Sequence, residues 1–218
     1  MKNYLSFTIK APLMSFGNSS ATGTIRTTDD HPTKSAVICM TTAASGFPRK
    51  DPRIIDRAQS LMFACAEINP GWIKTDYQTI SPITNAGSTY GDPVTRAATI
   101  EAEKQYLEDA EFKVFLWPKT DYNMQNVLDA LNSPIYDVYF GRKCCEKDTS
   151  LFPEIIKTDS LLDAFKICNI KNCRIFWEGD EKGLVIVKSE FRHDDLFKDR
   201  TYGKRVEYEG IMEGNTNV

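Results

Sequence analysis

The chain has 218 residues, 41% of them hydrophobic and 26% charged, and a formal net charge of −3. This length and balance fit one large domain, or one with a small appendage, around a sizeable core, and they exclude global disorder. The mild acidity excludes nucleic-acid binding through bulk positive charge, but leaves room for a local cationic patch.

No apolar run near the N-terminus reaches signal-peptide length, and no stretch approaches a membrane-spanning helix. A cytoplasmic protein with no membrane contact is therefore expected. The six cysteines (Cys39, Cys65, Cys144, Cys145, Cys168 and Cys173) are expected as thiols. Their spacing and the presence of only His31 and His193 suit zinc poorly, so no metal site and no cofactor is expected.

Taken in chain order, Leu5, Phe7 and Ile9 alternate along a first strand over 4–9. A loop rich in Gly, Ser and Thr fills 12–32. Thr33 then caps a helix, apolar nearly all round, that stops at Gly46. Asp51 and Pro52 open a second helix, with Ile54, Ile55, Ala58, Leu61, Met62 and Cys65 as one stripe, ended by Asn69-Pro70-Gly71. A strand is expected over 72–80, then an insertion at about 81–100 that reads as a loop or a projecting hairpin. Strands follow around 104–107 and 112–117. Asn123 caps a helix with Met124, Val127, Leu128 and Leu131 inward, stopped by Pro134. This order predicts an α+β fold with a ferredoxin-like β-α-β-β-α-β core over 1–150. Beyond it, 174–177 and 184–188 flank Glu178-Gly179-Asp180-Glu181-Lys182-Gly183 as a hairpin signal, and 201–211 reads as a last strand. A small β-rich C-terminal appendage over 151–218 is expected.

Three segments carry candidate chemistry. At Thr33-Lys34-Ser35 the helix start offers free N–H groups and a cation to a phosphate, although the same residues also suit plain capping beside a solvated lysine. At Tyr139-Phe140-Gly141-Arg142-Lys143 a glycine beside two cations suits close approach to phosphate, and the aromatics suit base stacking; a β-bulge with exposed charges fits equally. In the insertion, Thr84, Asn85, Ser88, Tyr90 and Arg96 are placed to reach along a strand of RNA, or to form a plain surface loop. Arg192, Lys198, Arg200, Lys204 and Arg205 make a basic run diluted by Asp194, Asp195 and Asp199. No nucleophile elbow or zinc-protease motif occurs. His31 with Lys34 leaves open a metal-independent ribonuclease.

Five segments together resemble the CasD family, the Cas-five subunits of the type I-E CRISPR complex called Cascade. They are Pro12-Leu13-Met14-Ser15-Phe16-Gly17; His31-Pro32-Thr33-Lys34-Ser35-Ala36-Val37-Ile38; Asp76-Tyr77-Gln78-Thr79; Tyr106-Leu107-Glu108-Asp109-Ala110-Glu111-Phe112; and Pro134-Ile135-Tyr136 leading into Tyr139-Phe140-Gly141-Arg142-Lys143-Cys144. Ala36 and Cys39 stand where the family often has Gly, and Phe16 where Trp is common. The resemblance implies a ferredoxin-like core of the RRM/RAMP type with a β-hairpin thumb. It implies a non-catalytic subunit that holds the 5′ handle of CRISPR RNA for antiviral defence. Such a subunit touches the backbone subunit CasC and the large subunit CasA, and meets target DNA only indirectly. A separate protein, CasE, cuts the RNA in type I-E; in type I-C relatives this family cuts precursor RNA itself. The RNA contacts expected here are Thr33, Lys34, Ser35, Gly141, Arg142 and Lys143, with Tyr139 or Phe16 stacking and Arg96, Arg192 and Arg205 as further cations. A processing endoribonuclease and a protein-only scaffold are the other two readings.

Overall fold

The computed structural model describes residues 1–17, 24–80, 100–198 and 201–214. Its first strand is β1 (Lys2–Lys10). The alternation expected there sends Leu5, Phe7 and Ile9 to one face and Tyr4 to the other, all of them buried. β7 (Glu111–Pro118) pairs with it antiparallel, Phe7 opposite Val114, and splits its side chains likewise. Both strands are thus buried on two sides.

α1 (Lys34–Ala44) begins where Thr33 accepts a hydrogen bond from the Ala36 amide, and ends before Gly46 at φ +72°. α2 (Pro52–Ser60) has Asp51 as its cap and Pro52 in its first turn. α3 (Met124–Asn132) starts at Asn123 and buries Met124, Val127 and Leu131. These three helices cover the Leu5–Phe7–Ile9 face. Burying each large aliphatic or aromatic side chain there contributes about 1.5–3 kcal/mol. Arg57 of α2 is buried, and among the described residues no carboxylate lies within 4.0 Å of it. Its guanidinium donates to the Thr41 carbonyl (2.7 Å) and Ser45 hydroxyl (2.9 Å), closing the C-terminal end of α1 where the helix dipole favours a cation.

The second helix stops earlier than expected. Leu61–Asn69 is a strand, β4, entered through Leu61 in extended backbone. Leu61, Phe63 and Cys65 face α1 and α2, while Ala64 and Ala66 face away, and all five are buried. β4 lies inside the sheet, with β7 on one side and β9 (Cys173–Trp177) on the other. A strand buried on both faces is a continuous apolar run, so its period gives no warning against a helix.

The 178–183 turn also departs from expectation. β9 pairs with β4 and with β11 (Thr201–Met212), and β10 (Lys188–Lys198) pairs with β11. The hairpin is therefore β10–β11, and Glu178 serves a different purpose, described below. β8 (Glu154–Thr158) closes the far edge against β1. α4 (Leu161–Ile167), capped by Ser160, packs Leu161, Ala164 and Phe165 on Phe115, Trp117 and Trp177 of the second face. The result is one seven-stranded antiparallel sheet, β10-β11-β9-β4-β7-β1-β8. Residues after 150 supply four of its strands rather than a separate layer, because β9 completes the hydrogen bonding of the buried strand β4.

β5 (Trp72–Ile80) and β6 (Ile100–Glu108) form an antiparallel hairpin in register from Trp72–Glu108 to Ile80–Ile100. β6 also pairs with β2 (Leu13–Met14) and, in parallel, with β3 (Ile25–Arg26). Most of the expected insertion, including Thr84, Asn85, Ser88, Tyr90 and Arg96, lies outside the described residues, as does Arg200. Among the described residues no helix is long and apolar enough to cross a membrane.

Candidate nucleic-acid interface

A groove of about 990 Å³ runs between the N-terminal end of α1, the segments beside β2 and β3, the turn at Gly141-Arg142, and the β10–β11 hairpin. The turn is fixed by backbone geometry. Gly141 has φ +108°, and a Cβ there would lie 1.8 Å from the Ser15 carbonyl oxygen. The neighbouring Ser15 amide donates to the Phe140 carbonyl at 2.9 Å. The close approach that glycine permits is thus to the chain itself.

Arg142 is held from below. Its guanidinium donates to the carbonyls of Gln105 (3.0 Å) and Arg26 (3.2 Å) and lies 4.6 Å from the Tyr106 ring centre. Carbonyls orient the group but leave its charge uncompensated. Arg26, exposed on β3, also lines the groove. Among the described residues neither arginine has a carboxylate within 4.0 Å. Opposite them the hairpin presents Phe191, 72% exposed, with His193 and Tyr202 (47%). Two uncompensated guanidiniums facing exposed aromatic rings suit a phosphate backbone with unstacked bases.

Beneath the groove the other cations are neutralised internally. The Lys34 side chain is 1% exposed, and its ammonium contacts Glu178 (2.9 Å) and Asp195 (3.1 Å). The backbone N–H of Lys34 donates to Asp194 at 2.8 Å, so the anion at the start of α1 is a carboxylate of β10. Arg205 is buried between Asp194 (2.7 Å) and Glu207. Arg192 pairs with Asp29 (2.5 Å), Glu190 and Glu207. The expectation of phosphate contacts from the Lys34 ammonium, and from Arg205, is corrected: charges this buried are tolerable only when paired, and they are paired within the chain.

His31 belongs to the same layer. It is 3% exposed and stacks on Phe176 at 3.8 Å. Nδ1 lies 2.7 Å from Asp30 and Nε2 2.9 Å from Glu207. Burial disfavours its charge, but the hydrogen bonds to Asp30 and Glu207 outweigh that and push its pKa up to about 9. Burial also opposes the Glu207 charge, yet the His31 hydrogen bond and nearby Arg205 hold its carboxyl well below the usual range. A doubly paired imidazolium is a structural cation, and the His31–Lys34 acid/base pair that the sequence left open is not assembled at a surface.

Of the residues expected to touch RNA, Thr33, Ser35, Gly141, Arg142 and Arg192 line the groove. Thr33 is occupied as the α1 cap. Lys143 is exposed beside the groove, and Tyr139 is half-buried in a bridge to Glu146. Phe16 is 1% exposed, edge-on to Phe112, and so has no face for a base, which corrects its stacking role. Arg96 lies outside the described residues. Sequence reasoning missed Arg26, Phe191, His193 and Tyr202. The signal for two of them was Phe191-Arg192-His193, an aromatic set among cations in one strand.

The comparisons with known proteins agree with this architecture. A family model described as CRISPR-associated protein (Cas_Cas5) matches residues 4–207. The CRISPR system Cascade subunit CasD of Escherichia coli (strain K12) is 28% identical over 160 residues, 70% of each chain. A chain in a solved CRISPR RNA-guided surveillance complex superposes with TM-score 0.72 at 22% identity, covering 96% of this chain and 90% of that one. A crystal structure of a Cas protein gives 0.67 at 20% identity, with 97% and 98% covered. These structural likenesses show a shared fold. The family match runs from β1 into β11 and takes in both walls of the groove, so this chain belongs to the CRISPR-associated protein (Cas_Cas5) family.

Proposed function

We propose that this protein is a non-catalytic subunit of a type I-E Cascade surveillance assembly for antiviral defence, and that its groove grips the 5′ handle of CRISPR RNA. The observation that carries the reading is the pair Arg26 and Arg142, uncompensated cations facing Phe191 and Tyr202 across the groove. Arg142 and Arg26 neutralise phosphates, Ser35 and Lys143 add donors, and Phe191 and Tyr202 stack on bases. The core is ferredoxin-like, of the RAMP type. Support comes from β1, β4, β7 and β8, which follow one another as strands one to four of such a motif, with helices after the first and third, and lie in the sheet order β4-β7-β1-β8. The β5–β6 hairpin is the base of a thumb. The partners are the backbone subunit CasC and the large subunit CasA, with target DNA reached through them.

The test is a salt titration of handle RNA binding by the wild type and by Arg26→Gln with Arg142→Gln. Each lost phosphate contact lowers the salt slope by about 0.7 for a single strand. Each lost charge-assisted hydrogen bond costs about 1.5–3 kcal/mol, so affinity falls well over tenfold. Coincident curves would place the RNA elsewhere. The non-cutting reading is tested with repeat RNA in the presence of a chelator. No cleavage is expected, since His31 is locked in its ion pairs. Specific cleavage that vanishes in His193→Ala overturns it.

A further inference from the structure

A second cleft, of about 710 Å³, lies where α4 meets the segment 183–187 and the end of β11, and it shares no lining residue with the groove. Its walls carry Ile170, Ile175, Leu184, Val185, Val187 and Ile211. Val185 is 74% exposed, and Ile186, Val187, Ile211 and Ile167 are all more than half exposed. A contiguous set of exposed aliphatic side chains marks an interaction surface more often than a solvated one.

The 183–187 segment is not loosely draped. Gly183 turns at φ +84°, where a Cβ would come 2.9 Å from Leu162 Cδ2. A Cβ on Gly210 would come 2.5 Å from the Val185 carbonyl, and the Val187 amide donates to the Glu209 carbonyl at 2.8 Å. The backbone is therefore seated on α4 and β11, and the outward aim of Val185 and Val187 is built in.

The charges at the cleft identify its occupant. Lys166 and Lys171 are exposed on its rim, and among the described residues neither has a carboxylate within 4.0 Å. Among the described residues one carboxylate, Glu213, also lines the cleft, so the balance of the described lining is positive. RNA fits poorly, because among the described residues no aromatic side chain lines the cleft to receive a base, in contrast to Phe191 and Tyr202 in the groove. A second copy fits poorly as well, since a two-fold contact sets the lysine pair against its own image. We propose that this cleft docks another protein, through an extended aliphatic segment flanked by carboxylates. Such a segment covers the Val185–Val187–Ile211 surface while its acidic residues reach Lys166 and Lys171.

A photo-crosslinking residue placed at Val185 in the full chain, expressed in its own host, tests this. An exposed position on α3, Gln125, serves as the control. Mass spectrometry of the crosslinked peptide is expected to show one segment of a different polypeptide, aliphatic and with at least two carboxylates. Lys166→Glu with Lys171→Glu is expected to cut the yield at least about tenfold, and Lys166→Arg with Lys171→Arg to preserve it. Handle RNA affinity should be unchanged in both, which separates a failure here from a failure of the groove reading. Crosslinks to RNA, to a second copy, or at the Gln125 level overturn the proposal. So does a charge reversal without effect in a chain whose thermal midpoint is normal.

Discussion

At the scale of single residues, the buried charge layer sets the energetics around the groove. His31 offers the cleanest test, because its proton is held by geometry. Its pKa rises from 6.5 to about 9 on folding. The resulting stabilisation, about 3 kcal/mol, is complete below pH 6.5 and is lost as the pH climbs through 9. The stability gap between wild type and His31→Gln, measured by urea unfolding, is therefore expected to shrink from pH 6 to pH 9.5. A gap independent of pH would mean the imidazole is neutral in the fold. Lys34→Ala leaves the buried Glu178 and the half-buried Asp195 without this cation. A loss of about 3–5 kcal/mol in stability is expected. The RNA affinity of the protein that remains folded should change little. Reduced affinity with unchanged stability would return the Lys34 ammonium to the RNA.

At the scale of elements, one crossing of two segments holds the groove open. The turn at 140–142 presses on 15–16 with no room for a side chain at Gly141. The Arg142 guanidinium then bridges the Gln105 carbonyl of β6 and the Arg26 carbonyl of β3. Three elements distant in sequence are locked by one backbone contact. Gly141→Ala meets both a positive φ and a backbone oxygen that cannot move aside. Its cost is expected to exceed the roughly 1–3 kcal/mol of strain alone. Because Arg142 shifts with the turn, RNA affinity should fall together with stability. Calorimetry and RNA titration of the same preparation check both, and an unperturbed midpoint would show that the turn relaxes freely.

At the scale of the whole molecule, the seven-stranded sheet makes the C-terminal part integral to the core. β9 pairs with β4, and α4 covers Phe115 and Trp117 of β7. The β10–β11 hairpin reaches back to the start of α1 through Asp194, Asp195 and Glu207. A fragment ending at residue 150 would expose one face of the sheet and take from the buried Lys34 and His31 the carboxylates of Glu178, Asp195 and Glu207. It is expected to show no cooperative thermal transition, although it contains α1, whose N-terminal end lines the groove. A sharp transition in that fragment would restore the boundary near 150.

The sequence by itself determined whatever depends on neighbours along the chain. Alternation placed β1, and strand-like runs pointed to β5, β6 and β7; the caps Thr33, Asp51 and Asn123 placed the starts of α1, α2 and α3; and the Gly-Arg-Lys turn pointed to the groove wall that Arg142 lines. The ordered segments also carried the family resemblance that the full-length match supports. Only the tertiary structure decided that 61–69 is a strand, because burial on both faces erases the period that separates strand from helix. It also decided which cations remain available. Lys34 finds Glu178 at a separation of 144 residues and Asp194 at 160. Arg142 finds the carbonyls of Gln105 and Arg26 and the Tyr106 ring, and among the described residues neither it nor Arg26 has a carboxylate within 4.0 Å. A lysine looks the same in a sequence whether its charge is spent or free; the difference lies in which distant carboxylates the sheet order brings within reach.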